Sequence, residues 1–337
     1  MSETVRLTEE KATALVAAAF EASDVSPANA LSTARALVAA EADGQVGHGF
    51  SRVLAYAAQA KAGKVRGHAV PEVSQAGPAL LRVDAGFGFA FPALDLACAR
   101  LAALTRETGI AAAAVHRSHH CGQLGAHVER LAKAGLVAIM VANTPRAMAA
   151  WGGTSALFGT NPIAFGAPRE GHEPLVIDLS LSKIARGKIM AADQRGEAIP
   201  EGWALDAEGN PTTDAGAALK GTLVPAGGAK GAALALMVEV LAASLTGAVP
   251  SREATSFFDA EGAPPGVGQF LIAVDPGAAS GGTYTAAFEA LAAAIEAEDG
   301  ARLPGTSRHA RREAARRDGL TMSAALHGKI AALAQAG

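Results

Sequence analysis

The amino-acid sequence predicts an α/β fold with helices covering both faces of its sheet, and three observations carry that expectation. First, short apolar runs of strand length recur through the middle of the chain, at Leu80–Asp84, Ile110–Val115, Val137–Ala142, Leu175–Asp178 and Phe270–Asp275. Continuous rather than alternating apolar runs suit strands buried on both sides. Second, helical stretches near 91–107, 123–134 and 229–246 are interleaved with them, the order expected of a layered α/β protein. Third, half of the 337 residues are apolar, yet aromatics make up only 4% and glycines number 38. Small residues allow backbones and a ligand to approach closely, and the length accommodates a large core in two or three domains.

Amphipathic helices are expected at both ends. Thr8 is a helix cap, Glu9 and Glu10 suit the positive end, and Ala12, Leu15, Val16, Ala19 and Phe20 share a face. Ser26-Pro27 starts a second helix, with Leu31, Ala34, Leu37 and Val38 as its stripe and Asp43-Gly44 as its stop. A third covers about 51–62, and two more, near 284–298 and 321–335, close the chain.

Composition excludes several classes. The formal net charge is -3, so no basic excess points to nucleic acid and no polybasic tract to a membrane surface. Apolar runs are broken well short of the roughly 20 residues of a membrane span. Met1-Ser2-Glu3-Thr4 shows no signal-peptide character. Cys98 and Cys121 are too few for a disulfide framework. A cytoplasmic protein is expected.

The chemistry-bearing residues cluster. An ordinary dinucleotide fold would show G-x-G-x-x-G between strand and helix. Here Gly86-Phe87-Gly88 is followed by Phe91 where the third glycine belongs, so a nucleotide would need another scaffold. His48 stands four residues before Arg52 in a glycine-flanked turn. An imidazole suits acid–base work near neutrality and a guanidinium holds a carboxylate in bidentate fashion. The alternative is a polar turn with Arg52 facing water. His116-Arg117-Ser118-His119-His120-Cys121-Gly122 follows a strand and precedes a helix, where open sheets place ligands. His116, His120 and Cys121 also allow a metal site and hence a metal-dependent hydrolase. A strand-to-loop placement does not put them on one helix face, however, and no carboxylate completes the set. Gly159-Thr160-Asn161-Pro162 and Gly227-Gly228-Ala229-Lys230-Gly231 are turns whose amides, or Lys230, suit phosphate or ribose.

Taken in order, these segments resemble one family, the malate/L-lactate dehydrogenases that lack a Rossmann fold. The carrying motifs are Asp43-Gly44-x-x-x-His48-Gly49-x-x-Arg52, Ser118-His119-His120-Cys121-Gly122, Phe158-Gly159-Thr160-Asn161-Pro162-Ile163, Val176-Ile177-Asp178-Leu179-Ser180, Ala185-Arg186-Gly187-Lys188, Pro200-Glu201-Gly202-Trp203, Lys230-Gly231 and Leu303-Pro304-Gly305. The resemblance implies a mixed sheet flanked by helices, with a separate helical unit made from 1–75 plus 280–337 and an α/β NAD(P)H-binding region over 76–279. It implies a homodimer that reduces a small 2-oxo acid, or a cyclic imine such as Δ1-piperideine-2-carboxylate or Δ1-pyrroline-2-carboxylate, with NADPH or NADH and no metal. By position, His48, His120 and Lys188 are the catalytic candidates. Arg52 and Arg186 would bind substrate, and Thr160, Asp178, Leu179, Ser180, Lys230 and Arg308 the cofactor. Arg308, Arg311 and Arg312 would favour a 2′-phosphate. The imine branch resembles Ser-His-Asp, whereas this chain has Gly47 before the histidine and Lys188 in place of the acid. Those two positions point to 2-oxo acid chemistry, while Lys64–Pro71 and Val83–Ala90 look more like the imine branch.

Overall fold

The computed structural model of the chain describes residues 3–336. Met1, Ser2 and Gly337, which fall within the limits expected for the terminal unit, lie outside the described residues. The central sheet has seven strands in the spatial order Glu72–Gly77, Leu80–Asp84, Ile110–Ser118, Val267–Val274, Val137–Ala142, Ile163–Ala167 and Leu175–Leu179. Leu80–Asp84 and Ile110–Ser118 run parallel, joined by the crossover helix Ala90–Thr108. Every other neighbouring pair in this sheet is antiparallel. The sheet is therefore mixed, with a single βαβ unit and no Rossmann strand order.

Alternation along Val267–Val274 explains its central place. Leu271 and Ala273 enter one core with Leu94, Leu101 and Val115, while Phe270 enters another with Met148 and Ile189 on the opposite face. A third core joins the chain ends: Val16, Phe20, Leu37 and Tyr56 pack with Met322 and Ile330. Each fully buried large side chain contributes about 1.5–3 kcal/mol. Thr4–Leu7 pairs antiparallel with Leu320–Ser323 beside this core. A small sheet of two- and three-residue strands, drawn from Met148–Ala149, Ala156–Phe158, Ala204–Leu205, Pro211–Thr212 and Thr222–Leu223, lies beyond the central one.

The sequence expectations at Leu80–Asp84 and Val137–Ala142 match residue for residue. The last expected strand begins earlier, at Val267, and Asp275 leaves it to cap the next helix by accepting from Gly277 N at 2.8 Å. Two strands of the central sheet carry no sequence signal. Glu72–Gly77 is a largely exposed edge, and Ile163–Ala167 follows directly on a turn-forming run. The helices Arg186–Arg195 and Thr306–Asp318 also escape sequence reading, because neither has an apolar stripe. The helix Tyr284–Glu296 is tied to the end of strand Ile163–Ala167. Tyr284 Oη donates to Pro168 O at 3.0 Å, and Arg169 pairs with Glu289 and Glu296 at 2.8 and 3.1 Å. Among the described residues no helix is long and apolar enough to cross a membrane.

Candidate active site

The helix Pro27–Ala42 stops at Asp43, and Gly44 turns the chain with φ 75°. Two short 3₁₀ turns, Val46–His48 and Phe50–Arg52, then lead into the helix Val53–Lys61. Two hydrogen bonds fix this curl: Phe50 N donates to Glu41 Oε2 at 3.0 Å, and Arg52 Nε donates to Gly47 O at 2.7 Å. The guanidinium of Arg52 lies 4.5 Å from the centre of the Phe258 ring, and its buried Nη1 has no hydrogen-bond partner among the described residues.

Strand Ile110–Ser118 delivers the second histidine. His120 is buried, and its ring stacks on His48 with centroids 5.2 Å apart and planes 10° from parallel. Its Nδ1 is hydrogen-bonded to Tyr56 Oη, and Phe257 closes over it at 5.0 Å. Burial and the neighbouring Arg52 charge hold His48 down to about 4, and burial, Arg52 and the other rings hold His120 well below the ordinary imidazole value. Both imidazoles are therefore neutral at pH 7. His119 is held down to about 3, chiefly by burial, and shares its Nε2 with Gln59 Oε1 at 2.8 Å.

These groups open onto a cavity of about 960 Å³ whose other wall is the segment around Thr160, Asp178 and Ser180. Thr160 N donates to Thr144 Oγ1 at 2.9 Å. Asn161 takes a positive φ of 37° and is pinned by bonds from its Nδ2 to Ala235 O and Glu239 Oε2 at 3.0 and 2.9 Å. Asp178 Oδ2 accepts from Gly125 N at 2.7 Å, while burial raises its carboxyl above the usual range. Arg186 lines the cavity and donates to Leu219 O at 2.8 Å.

The structure thus brings together His48, Arg52, His120, Thr160, Asp178, Ser180 and Arg186. It does not bring the remaining candidates to the lining. Lys188, Leu179 and Lys230 are exposed and outside it. Lys188 sits two residues beyond Arg186 on a helix whose turn points it to solvent. Arg308 is buried rather than open to a phosphate, with Nε 3.9 Å from Asp43 Oδ2. Arg312 is committed to Asp43 and Glu129, which corrects its reading as a free phosphate ligand. The histidines that suggested a metal diverge: His116 bonds Val83 O at 3.0 Å and lies near Asp84, while His120 enters the cavity.

Sequence reading missed Tyr56, Gln59, Phe257, Phe258 and Gln269, all of which line or support the site. A signal did exist. Arg52, Tyr56 and Gln59 are spaced i, i+4, i+7, one face of a helix, and Phe257-Phe258 is an aromatic pair in a chain poor in aromatics.

A buried arginine beside two neutral imidazoles, facing a wall of hydroxyl and carboxylate groups across a cavity large enough for a cofactor, is an arrangement suited to a cofactor-dependent oxidoreductase. The chain belongs to the malate/L-lactate dehydrogenase family, whose profile it matches over residues 7–331, and it is an NAD(P)-dependent enzyme. It is 54% identical, over 93% of its length and 92% of that protein, to a (2R)-3-sulfolactate dehydrogenase (NADP(+)) of Chromohalobacter salexigens. It is 42% identical, over 98% of its length and 99% of that protein, to a Δ1-pyrroline-2-carboxylate/Δ1-piperideine-2-carboxylate reductase of Pseudomonas aeruginosa. Its fold is similar to the crystal structure of Δ1-piperideine-2-carboxylate reductase from Pseudomonas syringae, with a TM-score of 0.93, 37% identity and coverage of 98% and 99% of the two chains.

Proposed function

We propose that this protein reduces a small 2-oxo acid to the 2-hydroxy acid, with Arg52 binding the substrate carboxylate and the His48–His120 pair serving the proton transfer. One observation carries the reading: Arg52 keeps a buried N–H without a partner beside two stacked, neutral imidazoles on one cavity. An unpaired buried donor is costly, and a bidentate carboxylate satisfies it. NAD(P)H, when bound, supplies the hydride. Thr160, Asp178 and Ser180 would lie along it, with Arg308 behind Asp178. The donor set fits, since hydroxyls and a carboxylate suit ribose and amide groups. Arg186, which lines the cavity, takes the cationic role expected of Lys188. Leu179 and Lys230 would act only from the rim.

The 54% identity to a sulfolactate dehydrogenase supports a 2-oxo acid that bears a second anion. A second reading, reduction of a cyclic imine, is favoured by the relatives at 36–42% identity that carry that activity. Gly47 weighs for the first reading, whereas Lys188, exposed and outside the cavity lining, does not bear on the choice. The terminal segments 1–75 and 280–337 would form the helical, substrate-side unit, and 76–279 the cofactor region. The joint core of Phe20, Tyr56 and Ile330 supports that division. Exposed Leu236, Met237 and Val240 on the helix that starts at Ala229 support a homodimer, and two buried free thiols support a cytoplasmic setting.

The test is a panel of 2-oxo acids, sulfopyruvate and oxaloacetate among them, and cyclic imines assayed with NADPH and NADH. Faster reduction of Δ1-piperideine-2-carboxylate than of any 2-oxo acid would overturn the reading. Arg52→Ala should raise KM by roughly ten- to a hundred-fold, the equivalent of about 1.5–3 kcal/mol for a hydrogen bond to a charged group.

A further inference from the structure

The helix Val53–Lys61 and the arginine before it aim three polar side chains at the site, and two of them end on histidines. Tyr56 and Gln59 are fully buried. Gln59 is oriented without ambiguity: its Nε2 donates to Phe257 O at 2.9 Å, so its Oε1 faces His119 Nε2 and accepts. His119 is thereby the Nε2–H tautomer, and its Nδ1 is left buried without a partner among the described residues.

Tyr56 meets His120 at Nδ1, and that pair admits two proton placements. If the imidazole donates, the phenol proton has no acceptor among the described residues in a fully buried place, and the full desolvation of that donor is lost. If the phenol donates, its proton and the Nδ1 lone pair satisfy each other, and the remaining ring proton sits on His120 Nε2.

We infer that Tyr56 is a positioning residue for proton transfer: its hydroxyl donates to His120 Nδ1, holds His120 as the Nε2–H tautomer, and passes its proton to the ring as Nε2 gives one to the substrate oxygen. The inference rests on the reading of His120 as the proton donor. The neutral ring stores no spare proton, because burial and the Arg52 charge oppose an imidazolium. Burial also lifts the phenol above its ordinary value, so its proton leaves only as the ring loses one. The balance closes. One O–H bond forms on the substrate as Nε2–H breaks, and Nδ1–H forms as the Tyr56 O–H breaks. The phenolate left behind lies near the Arg52 cation, whose charge favours it. After product leaves, water in the cavity returns a proton to Nε2, and Nδ1 gives its own back to Tyr56.

The wild-type protein labelled with ¹⁵N-histidine provides a readout independent of turnover. His120, assigned against His120→Gln, should show a protonated Nε2 and a bare Nδ1. A bare Nε2 overturns the inference, whether or not any variant folds. Tyr56→Phe keeps the ring and removes the hydroxyl. Its single-turnover rate should fall about 10- to 100-fold, with KM and NADPH affinity by fluorescence within about twofold of wild type. The rate of the wild-type enzyme should depend on the deuterium fraction of the solvent with the curvature of two protons, and that of the variant linearly, as for one. A wild-type rate in Tyr56→Phe overturns the inference while leaving the assigned function standing. A wild-type protein that reduces no 2-oxo acid sinks the assigned function, and the ¹⁵N spectrum still decides the tautomer.

Discussion

Two clusters of buried polar groups sit on either side of Asp43, and they are treated in opposite ways. Behind it, Arg312 donates to both oxygens of Asp43 at 2.8 and 3.0 Å and to both of Glu129 at 2.7 and 2.9 Å. Gln123 completes Asp43 at 2.9 Å, and Lys133 adds to Glu129 at 2.8 Å, so that the Glu129 carboxyl is held down to about 2. In front of it, at the end of the curl that Asp43 begins, His48 Nδ1, Arg52 Nη1 and His119 Nδ1 have no partner among the described residues. Buried polar groups are almost always satisfied. The carboxylates behind Asp43 are satisfied, although Gln123 Oε1 and Arg308 Nε and Nη1 beside them also lack a partner among the described residues; in front, His48, Arg52 and His119 line the cavity. Carboxylates paired by Arg312 on one side and open, cavity-lining groups on the other distinguish the two clusters.

The strongest way to break this comparison is to remove a histidine. His120→Ala and His48→Ala should each lower kcat by about 10²–10⁴-fold, the usual contribution of a positioned acid, with melting temperatures close to wild type. Wild-type turnover in both variants would remove the proton-transfer assignment. The paired cluster should respond the other way. Arg312→Met removes the cation that Asp43 and Glu129 share, leaving them only Gln123 and Lys133, and should cost about 3 kcal/mol of stability, read by denaturant unfolding, while kcat/KM of the folded fraction holds within about threefold. Lost activity at unchanged stability would dissolve the distinction between the clusters.

Acid should sharpen it further. His119 and His127 are buried, and burial holds them down to about 3 and about 4. Their folded values lie below the unfolded one of about 6.5, so the unfolded chain binds protons first. The stability they confer is full above that value and is lost as pH falls toward 4, by about 2 kcal/mol for each ring at pH 5. Asp178 and Glu41, whose carboxyls are raised by burial, oppose the trend in the lower part of that range. Equal unfolding free energies at pH 7 and pH 5 would mean that the rings are not held neutral.

The smallest effect belongs to Gly47. A Cβ there would meet nothing within 4 Å, so Gly47→Ser should fold normally and place a hydroxyl beside His48. The ratio of kcat/KM for cyclic imine over 2-oxo acid should rise a few-fold. Comparison with the double variant Gly47→Ser, Lys188→Asp tells whether the exposed Lys188 contributes.

Much of this was readable in the sequence where burial and periodicity coincide. The strands at 80–84 and 137–142 are apolar because both faces are covered, and the His48–Arg52 spacing survives because a local curl sets it. The strand Glu72–Gly77 was invisible because an edge needs no apolar face, and the helix Thr306–Asp318 because ion pairs hold it in place of an apolar stripe. Lys188 and Lys230 matched motifs, yet a motif does not say which way a helix turns its side chains. Tyr56 and Gln59 went unread for the converse reason. On a helix they look like core, and only the tertiary approach of the strand carrying His119 and His120 shows what they touch.

The pairing of Thr4–Leu7 with Leu320–Ser323 bears on how the enzyme comes into being. The central sheet needs nothing beyond Val274 for its strands, whereas the core under the His48 curl takes Met322 and Ile330 from the far end of the chain. On the ribosome, domains form as their residues emerge, and contacts between distant residues form slowly. The central sheet can therefore assemble during synthesis, while the core beneath His48 and Arg52 waits for the last helix to be released, so a nascent chain stalled short of that helix would hold the sheet with no stable support for the His48 curl.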